Sequence, residues 1–542
     1  MRHGRPTFEQ CGGLLKSTTR PVIICLVAWL CAVTSADAGE KHPFDVRGWD
    51  IEKSTPQYVF EMMDKAEKYD INTIGLSHSI CMTVEEILDD EDRSKQLETY
   101  CRYAHKRGMK VYLWTHEVNG PVDKWFVTDK DGRTLLNLDD PALYECISKK
   151  YRDAIEKVPT CDGFILSLTE SRIQAHRPSE ALSKMTPAER MAKVINAVRE
   201  GCAAKGKRLI VRDFLRNPAE MDAFLEALKS VPDDVWVYTK CVPNDWEFRY
   251  PPHPLIGKVA PHKQIMEMDL ATEVGGITHW PMCCPEYIQE YVRMARDKGL
   301  VGVIPRCDDQ NRTNVGTPNE INVVAYSILI NDPDADVNKI WRDFCVRRYG
   351  EKAAPTAEKV LRRSFDITCD IAYTLGFWIT KMGQVSTVGY ADIHLIENSN
   401  ALWDPSPENE RIEKMLLDSG PEAIRATVNE KIRAERLSRQ CLKELDEAKD
   451  LFKPADYEQL RGYYERTLRG AQIGRHWTRA YFALRWYRNT KSQEAKAERD
   501  TALADARRYA KEIADTPDDR NSESLNQFIT AVEAETAKIQ AL

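Results

Sequence analysis

Residues 162–172 read DGFILSLTESR. Phe164, Ile165, Leu166 and Leu168 form a short, nearly continuous apolar run of the kind a strand buried on both faces requires. The run ends on a carboxylate, Glu170, with Arg172 two residues on. It follows PALYECISKKYRDAIEKV (141–158), whose apolar positions recur at three- and four-residue spacing, as in an amphipathic helix.

The same alternation extends in both directions. Strands are expected at 45–50, 72–77, 109–115, 162–168, 208–214, 235–240, 263–269 and 301–306. Helices are expected at 56–69, 92–107, 141–157, 187–204, 218–230 and 286–298. Gly108, Gly206 and Gly299 stand where helices should stop before the next strand. Eight apolar strands alternating with helices predict parallel strands covered on the outside, closed as an α/β (β/α)8 TIM barrel. The rival is an open doubly wound sheet, which would often carry a glycine-rich phosphate loop after its first strand; none is present. Beyond about residue 320 the strand signal ends, and long charged segments such as AERDTALADARRYAKEIA predict an all-helical C-terminal domain. The expected division is a barrel domain over 39–320 and a helical domain over 321–542. Trp477, Tyr481, Phe482, Trp486 and Tyr487 read as core of that domain, and the domain could mediate a homodimer.

Residues 1–38 read as a secretory signal. Arg2, Arg5, Lys16 and Arg20 precede the apolar run VIICLVAWLCAV (22–33), and Ala36-Asp37-Ala38 supplies a small-residue cleavage site. A secreted or periplasmic protein, free of the membrane after cleavage, is therefore expected. A net charge of -7 on 542 residues gives no concentrated basic face for nucleic acid. Twelve of the fifteen cysteines follow the signal, with no C-x-x-C pair and no His-rich ligand spacing, so neither a metal nor another cofactor is expected. Cys283 and Cys284 are adjacent and read as small buried side chains.

Barrels of this class build their active sites at the C-terminal strand ends. There the sequence places Trp49 and Asp50; Trp114, then His116 and Glu117; Glu170 and Arg172; and Arg212 and Asp213. Further round come Lys240 with Asp245 and Trp246, Glu267 with Asp269, and Arg306 with Asp308 and Asp309. Opposed carboxylates can protonate a leaving oxygen and activate water. Tryptophan faces suit sugar rings. Arginine and lysine suit an anionic substituent. The combination points to a carbohydrate substrate and glycoside chemistry, with a catalytically silent carbohydrate-binding barrel as the alternative. Glu170 and Glu267 stand out because their strands are otherwise so apolar.

DGFILSLTESR, LIVRDF (209–214), YTKCVPNDWEFRYPPHPLIGKVAP (238–261), IMEMDLATEVGG (265–276) and RCDDQNRTNVGTPNEINVVAYSILINDP (306–333) resemble the catalytic domain of glycoside hydrolase family 67, the microbial α-glucuronidases. The likeness covers roughly residues 45–345, without that family's N-terminal β-sandwich. It implies an inverting, exo-acting hydrolase of polysaccharide-derived oligosaccharides, with Glu170 as general acid and Asp245 and Glu267 serving the water. It also implies Arg212 and Lys240 in the substrate pocket. Ser171-Arg172-Ile173 replaces the family's Gly-Gln-Pro after the acid, and no lysine stands in the fourth strand. A uronic sugar is the first expectation and a non-uronic sugar the alternative.

Overall fold

The computed structural model describes residues 42–541 apart from 121, 382, 398, 515 and 517–519; the expected signal segment lies outside the described residues. Eight parallel strands close a barrel: β1 (Val46–Ile51), β2 (Thr73–Leu76), β3 (Lys110–His116), β4 (Gly163–Ser167), β5 (Arg208–Arg212), β6 (Trp236–Lys240), β7 (Gln264–Asp269) and β8 (Gly302–Arg306). Each hydrogen-bonds the next, and β8 pairs with β1. The helices expected between them are present, among them Pro141–Lys157 and Pro187–Ala203.

Alternation along each strand sorts the side chains into two layers. Val46, Tyr112, Trp114, Ile165, Ile210 and Tyr238 fill the barrel interior, together with Ile265 and Ile304. The odd partners, including Ile51, Leu76, Leu113, Phe164 and Val211, pack outward against the helices. The interior is tight at β1, where a Cβ on Gly48 would lie 2.4 Å from Ile304 Cγ1. Only glycine fits there.

Register fixes which polar residues share a level at the mouth. Asp50 and Asp269 both pair with Arg306, Glu267 pairs with Lys240, and Ser167 pairs with both His116 and Arg212. Loop excursions build a small three-stranded sheet from Phe126–Thr128, Thr134–Asn137 and Ala181–Leu182, and a two-stranded one from Asp308–Asp309 and Arg312–Thr313. Their strands are two to four residues long, too short for a periodicity of two to register in sequence.

Four long helices end the chain: Pro421–Glu447, Pro454–Thr490, Gln493–Glu512 and Arg520–Ala541. The apolar layer around the barrel runs on into them through Leu445, Leu460 and Tyr464. A second core gathers the five aromatics from Trp477 to Tyr487, with Trp477 and Tyr481 stacked at 5.5 Å. They are core, as the sequence suggested. All twelve cysteines beyond residue 38 are free thiols, and Cys283 and Cys284 are buried ahead of the helix Pro285–Asp297. No helix among the described residues is long and apolar enough to cross a membrane.

Candidate active site

A cavity of about 430 Å³ opens at the C-terminal end of the barrel. Seven strands or the loops that follow them supply its wall: Asp50 and Glu52, His78, Trp114, Glu170, Arg212, Asp245 and Trp246, and Glu267 and Glu273. Arg306 and the loop Asp309–Asn311 complete it. A wider groove of about 560 Å³ lies between the outer helices, lined by Tyr144, Glu145, Glu189, Lys193 and Glu200 among others, away from the strand ends.

Arg212 organises the centre. Its Nε and Nη2 donate to the two oxygens of Glu267 at 2.7 and 2.8 Å, a bidentate pair with both side chains buried. Its Nη1 lies 3.8 Å from Glu170 Oε2. One guanidinium therefore stands between the two glutamates. The cation also lies against Trp114 and Phe214, 4.9 and 4.7 Å from the ring centroids.

Glu170 sits just past β4 with φ of +59°, the left-handed region that costs a non-glycine residue roughly 1–2 kcal/mol. Its side chain is 41% exposed, so the acid faces the opening. The carbonyl before it is held in place: Thr169 O lies 2.8 Å from His116 Nδ1, while Trp114 Nε1 donates to His116 Nε2 at 2.8 Å. That arrangement needs a neutral imidazole protonated on Nδ1, and burial holds the His116 pKa below its ordinary value. The strained acid is thus tied to the interior of β3.

Asp245 reaches the cavity from the loop after β6, where the Lys240 ammonium pairs with it. Burial pushes the Asp245 carboxyl up, but Lys240 outweighs this and the net position is below the usual range. Glu247 accepts from the Asp245 backbone N–H at 2.7 Å, and burial together with the Asp245 charge pushes its carboxyl well up. Arg306 lies 3.2 Å from Asp269 and 2.9 Å from Glu273; burial raises Glu273 to about 7.

Deeper in, Asp50 Oδ2 accepts from Ser77 Oγ at 2.7 Å and its pKa rises to about 7 through burial. Gly75 makes the room, since a Cβ there would lie 2.5 Å from Asp50 Oδ1. Burial also pushes the Glu52 carboxyl well above its ordinary value, and the Glu52 backbone N–H donates to Asp308 Oδ1 at 2.7 Å. Ligand atoms of Asp50, Glu52 and His78 all lie within 4.8 Å of one another, the one grouping among the described residues that could hold a metal ion.

Glu170, Asp245 and Glu267, from three separate strand ends, share this cavity, as do Asp50, Trp114, Arg212, Trp246 and Arg306. Lys240 lies against it, 3.6 Å from the Trp246 ring. Two expected site residues do not belong. Trp49 faces the helical layer beside Tyr69, ring centroids 6.2 Å apart, because adjacent strand residues point to opposite faces and Asp50 takes the inner one. Arg172 is 52% exposed, paired with Asp123 at 2.8 Å and lying over Phe126 outside the cavity. Glu117 likewise turns away, to Lys150 at 2.6 Å and Tyr151 at 2.9 Å. Sequence reasoning missed Glu52, His78, Phe214 and Glu273. Glu52 was recoverable, being two residues past Asp50 and so of the same parity. His78 sits in a turn and Glu273 opens a three-residue 3-10 helix, and neither carries a periodic signal.

No family model matches the chain, and no curated protein matches it in sequence. Solved structures do resemble it. A GH138 enzyme targeting pectin rhamnogalacturonan II superposes with a TM-score of 0.60 at 13% identity, covering 89% of this chain and 64% of that one. This chain thus spans under two thirds of that enzyme's length. A Thermobaculum terrenum O-GlcNAc hydrolase mutant (TM-score 0.48, 11% identity, 92% and 96% covered) is also similar. So is a GH115 4-O-methyl-α-glucuronidase with specificity for decorated arabinogalactans (0.48, 10%, 91% and 62%). What is shared at such identities is the fold. The GH138 enzyme shares that barrel, and family 67 is not singled out.

Proposed function

We propose that the protein is an exo-acting glycoside hydrolase of polysaccharide-derived oligosaccharides that works with inversion at the anomeric carbon. The observation that carries this reading is the single cavity holding a solvent-facing Glu170 apart from two acids, Asp245 and Glu267, that are each held by a cation. Glu170 gives its proton to the glycosidic oxygen as the C–O bond breaks. Asp245 and Glu267 orient a water on the opposite face of the sugar and take its proton as the new C–O bond forms. Trp114 and Trp246 supply flat faces for the ring. A cavity of about 430 Å³ with buried acids in its lining favours release of one terminal residue. The fold shared with an enzyme acting on pectin rhamnogalacturonan II supports a plant-type polysaccharide as the source. The leader-like residues 1–38 support export. The resemblance of its motifs to α-glucuronidases makes a uronic sugar one candidate glycone and a neutral sugar the other.

The test is a panel of uronic and neutral aryl glycosides of both anomeric configurations, with decorated oligosaccharides, given to the mature protein and to Glu170→Gln, Asp245→Asn and Glu267→Gln. Release of one monosaccharide by the wild type, with each variant losing turnover but keeping sugar affinity, is the expected outcome. Sugar binding without release by any form would mean a silent carbohydrate-binding barrel.

A further inference from the structure

Acids outnumber cations in the lining of this cavity, seven (Asp50, Glu52, Glu170, Asp245, Glu267, Glu273 and Asp309) to two (Arg212 and Arg306). Arg212 is spent on Glu267 at 2.7 and 2.8 Å. Lys240 pairs with Asp245, and Arg306 donates through Nε to Asp269 at 3.2 Å, while its Nη2 lies 2.9 Å from Glu273 without hydrogen-bond geometry. Arg172 is outside, paired with Asp123. A uronate entering here would leave water for a wall with an excess of acids, and would have to share a guanidinium with an acid already beside it.

The deep end has the opposite character. Glu52 is 1% exposed and neither carboxyl oxygen has a hydrogen-bond partner. Oε1 lies 3.1 Å from His78 Nδ1 and 3.7 Å from Arg306 Nη1 without hydrogen-bond geometry to either. Asp50 Oδ1 is equally buried and unpartnered. Buried polar atoms left without partners are rare in folded proteins, and here they belong to residues lining a cavity, where a water, an ion or a bound ligand can supply the partner. Both residues line the cavity, as do the neutral amides Gln310 and Asn311.

We infer that the glycone this site accepts is uncharged, and that its hydroxyls remote from the scissile bond are seated on Asp50 and Glu52. The inference rests on reading the cavity as the sugar site. Glu170 stands at the opening, so a sugar with its anomeric carbon there extends its far edge toward these two acids. A carboxyl oxygen without a partner accepts from a sugar hydroxyl in either protonation state. The rival occupant is a divalent cation on Asp50, Glu52 and His78. The Arg306 guanidinium beside Glu52 opposes it.

The experiment uses matched aryl glycosides that differ only at C6, a hydroxymethyl group against a carboxylate, with the wild type, Glu52→Leu and Asp50→Asn. Neutral members are expected to be turned over at least about 100-fold better than their uronic partners. Glu52→Leu should lose about 100-fold or more in kcat/KM on the neutral substrate and keep or raise its melting temperature, because removing two buried oxygens that make no hydrogen bond breaks none. Removing the substrate hydroxyl that Glu52 meets should cost the wild type much and Glu52→Leu little. Preference for the uronic member overturns the inference. So does activity that is lost on chelation, restored by Mn²⁺ or Zn²⁺ and insensitive to metal in Glu52→Leu, because the floor is then a cation site. If nothing is hydrolysed, neutral monosaccharides that still bind the wild type and not Glu52→Leu, by saturation-transfer NMR, uphold the inference while the hydrolase reading fails. Binding of neither sugar class overturns it.

Discussion

Replacing Lys240 by methionine would remove the cation that holds Asp245 ionised, with little change of shape. The Lys240 ammonium lies 4.1 Å from the Phe214 ring and 3.6 Å from that of Trp246, surroundings that accept a thioether. Two unit charges about 4 Å apart at an effective dielectric constant of about 20 attract by about 4 kcal/mol, equivalent to about three pKa units at 1.36 kcal/mol each. The Asp245 side chain is 24% exposed, so water recovers part of this, and a rise of about 1–3 units is expected. Asp245 must be ionised to accept a proton from water. The acid limb of kcat/KM against pH should therefore move up by that amount in Lys240→Met, with the alkaline limb unmoved. Stability carries the same sign. A carboxyl whose folded pKa lies below its unfolded value stabilises the fold above the unfolded pKa of about 3.9, and this is lost as pH falls through the folded pKa. Lys240→Met should thus melt lower than wild type at neutral pH, and the gap should close in acid. The pair Lys240→Met with Asp245→Asn should recover most of it. An acid limb that stays in place in a folded Lys240→Met protein would refute the assignment of Asp245 to the water.

Three further outcomes are expected. Glu170→Gln should lose about 10²–10⁴-fold in turnover of an oligosaccharide or alkyl glycoside and far less on a dinitrophenyl glycoside, whose leaving group needs no proton; equal losses on both would remove Glu170 from the acid role. Asp213 is buried away from the cavity, accepts from the Lys240 backbone N–H at 3.2 Å and is raised from 3.8 to about 7 by burial. Its contribution favours the fold in acid and is lost as pH rises toward 7, so Asp213→Asn should gain on wild type from pH 5 to 8, by at most about 4 kcal/mol; thermal unfolding across that range checks it. Gly75→Ala would bring a methyl to 2.5 Å from Asp50 Oδ1. It should cost about 1–3 kcal/mol in stability and lower kcat/KM, measured by calorimetry and steady-state kinetics.

The barrel was legible because its signal is local and repeated. All eight strands appear within about two residues of where apolar runs such as FILSL and LIV placed them, since a strand covered on both faces leaves little choice of residue. Trp49 shows the limit. A strand-end tryptophan beside an aspartate looks like a rim residue, yet a period of two allows only one of the pair to face inward. The aspartate won because Gly75 leaves it space that an indole would overfill. Arg172 failed for another reason: loop residues follow local partners, here Asp123 and Phe126, which strand logic does not see. The pairing of Arg212 with Glu267 spans 55 residues and depends on barrel closure, so composition alone could not show it.

The stereochemistry of the first product formed tests the account most directly. A glycoside of known anomeric configuration, identified from the panel, should be followed by ¹H NMR from the first turnovers, before mutarotation. The account predicts release of the free sugar with the opposite configuration, from a water held across the ring from Glu170 by Asp245 and Glu267. Release with the starting configuration would mean attack by a protein carboxylate and would contradict it.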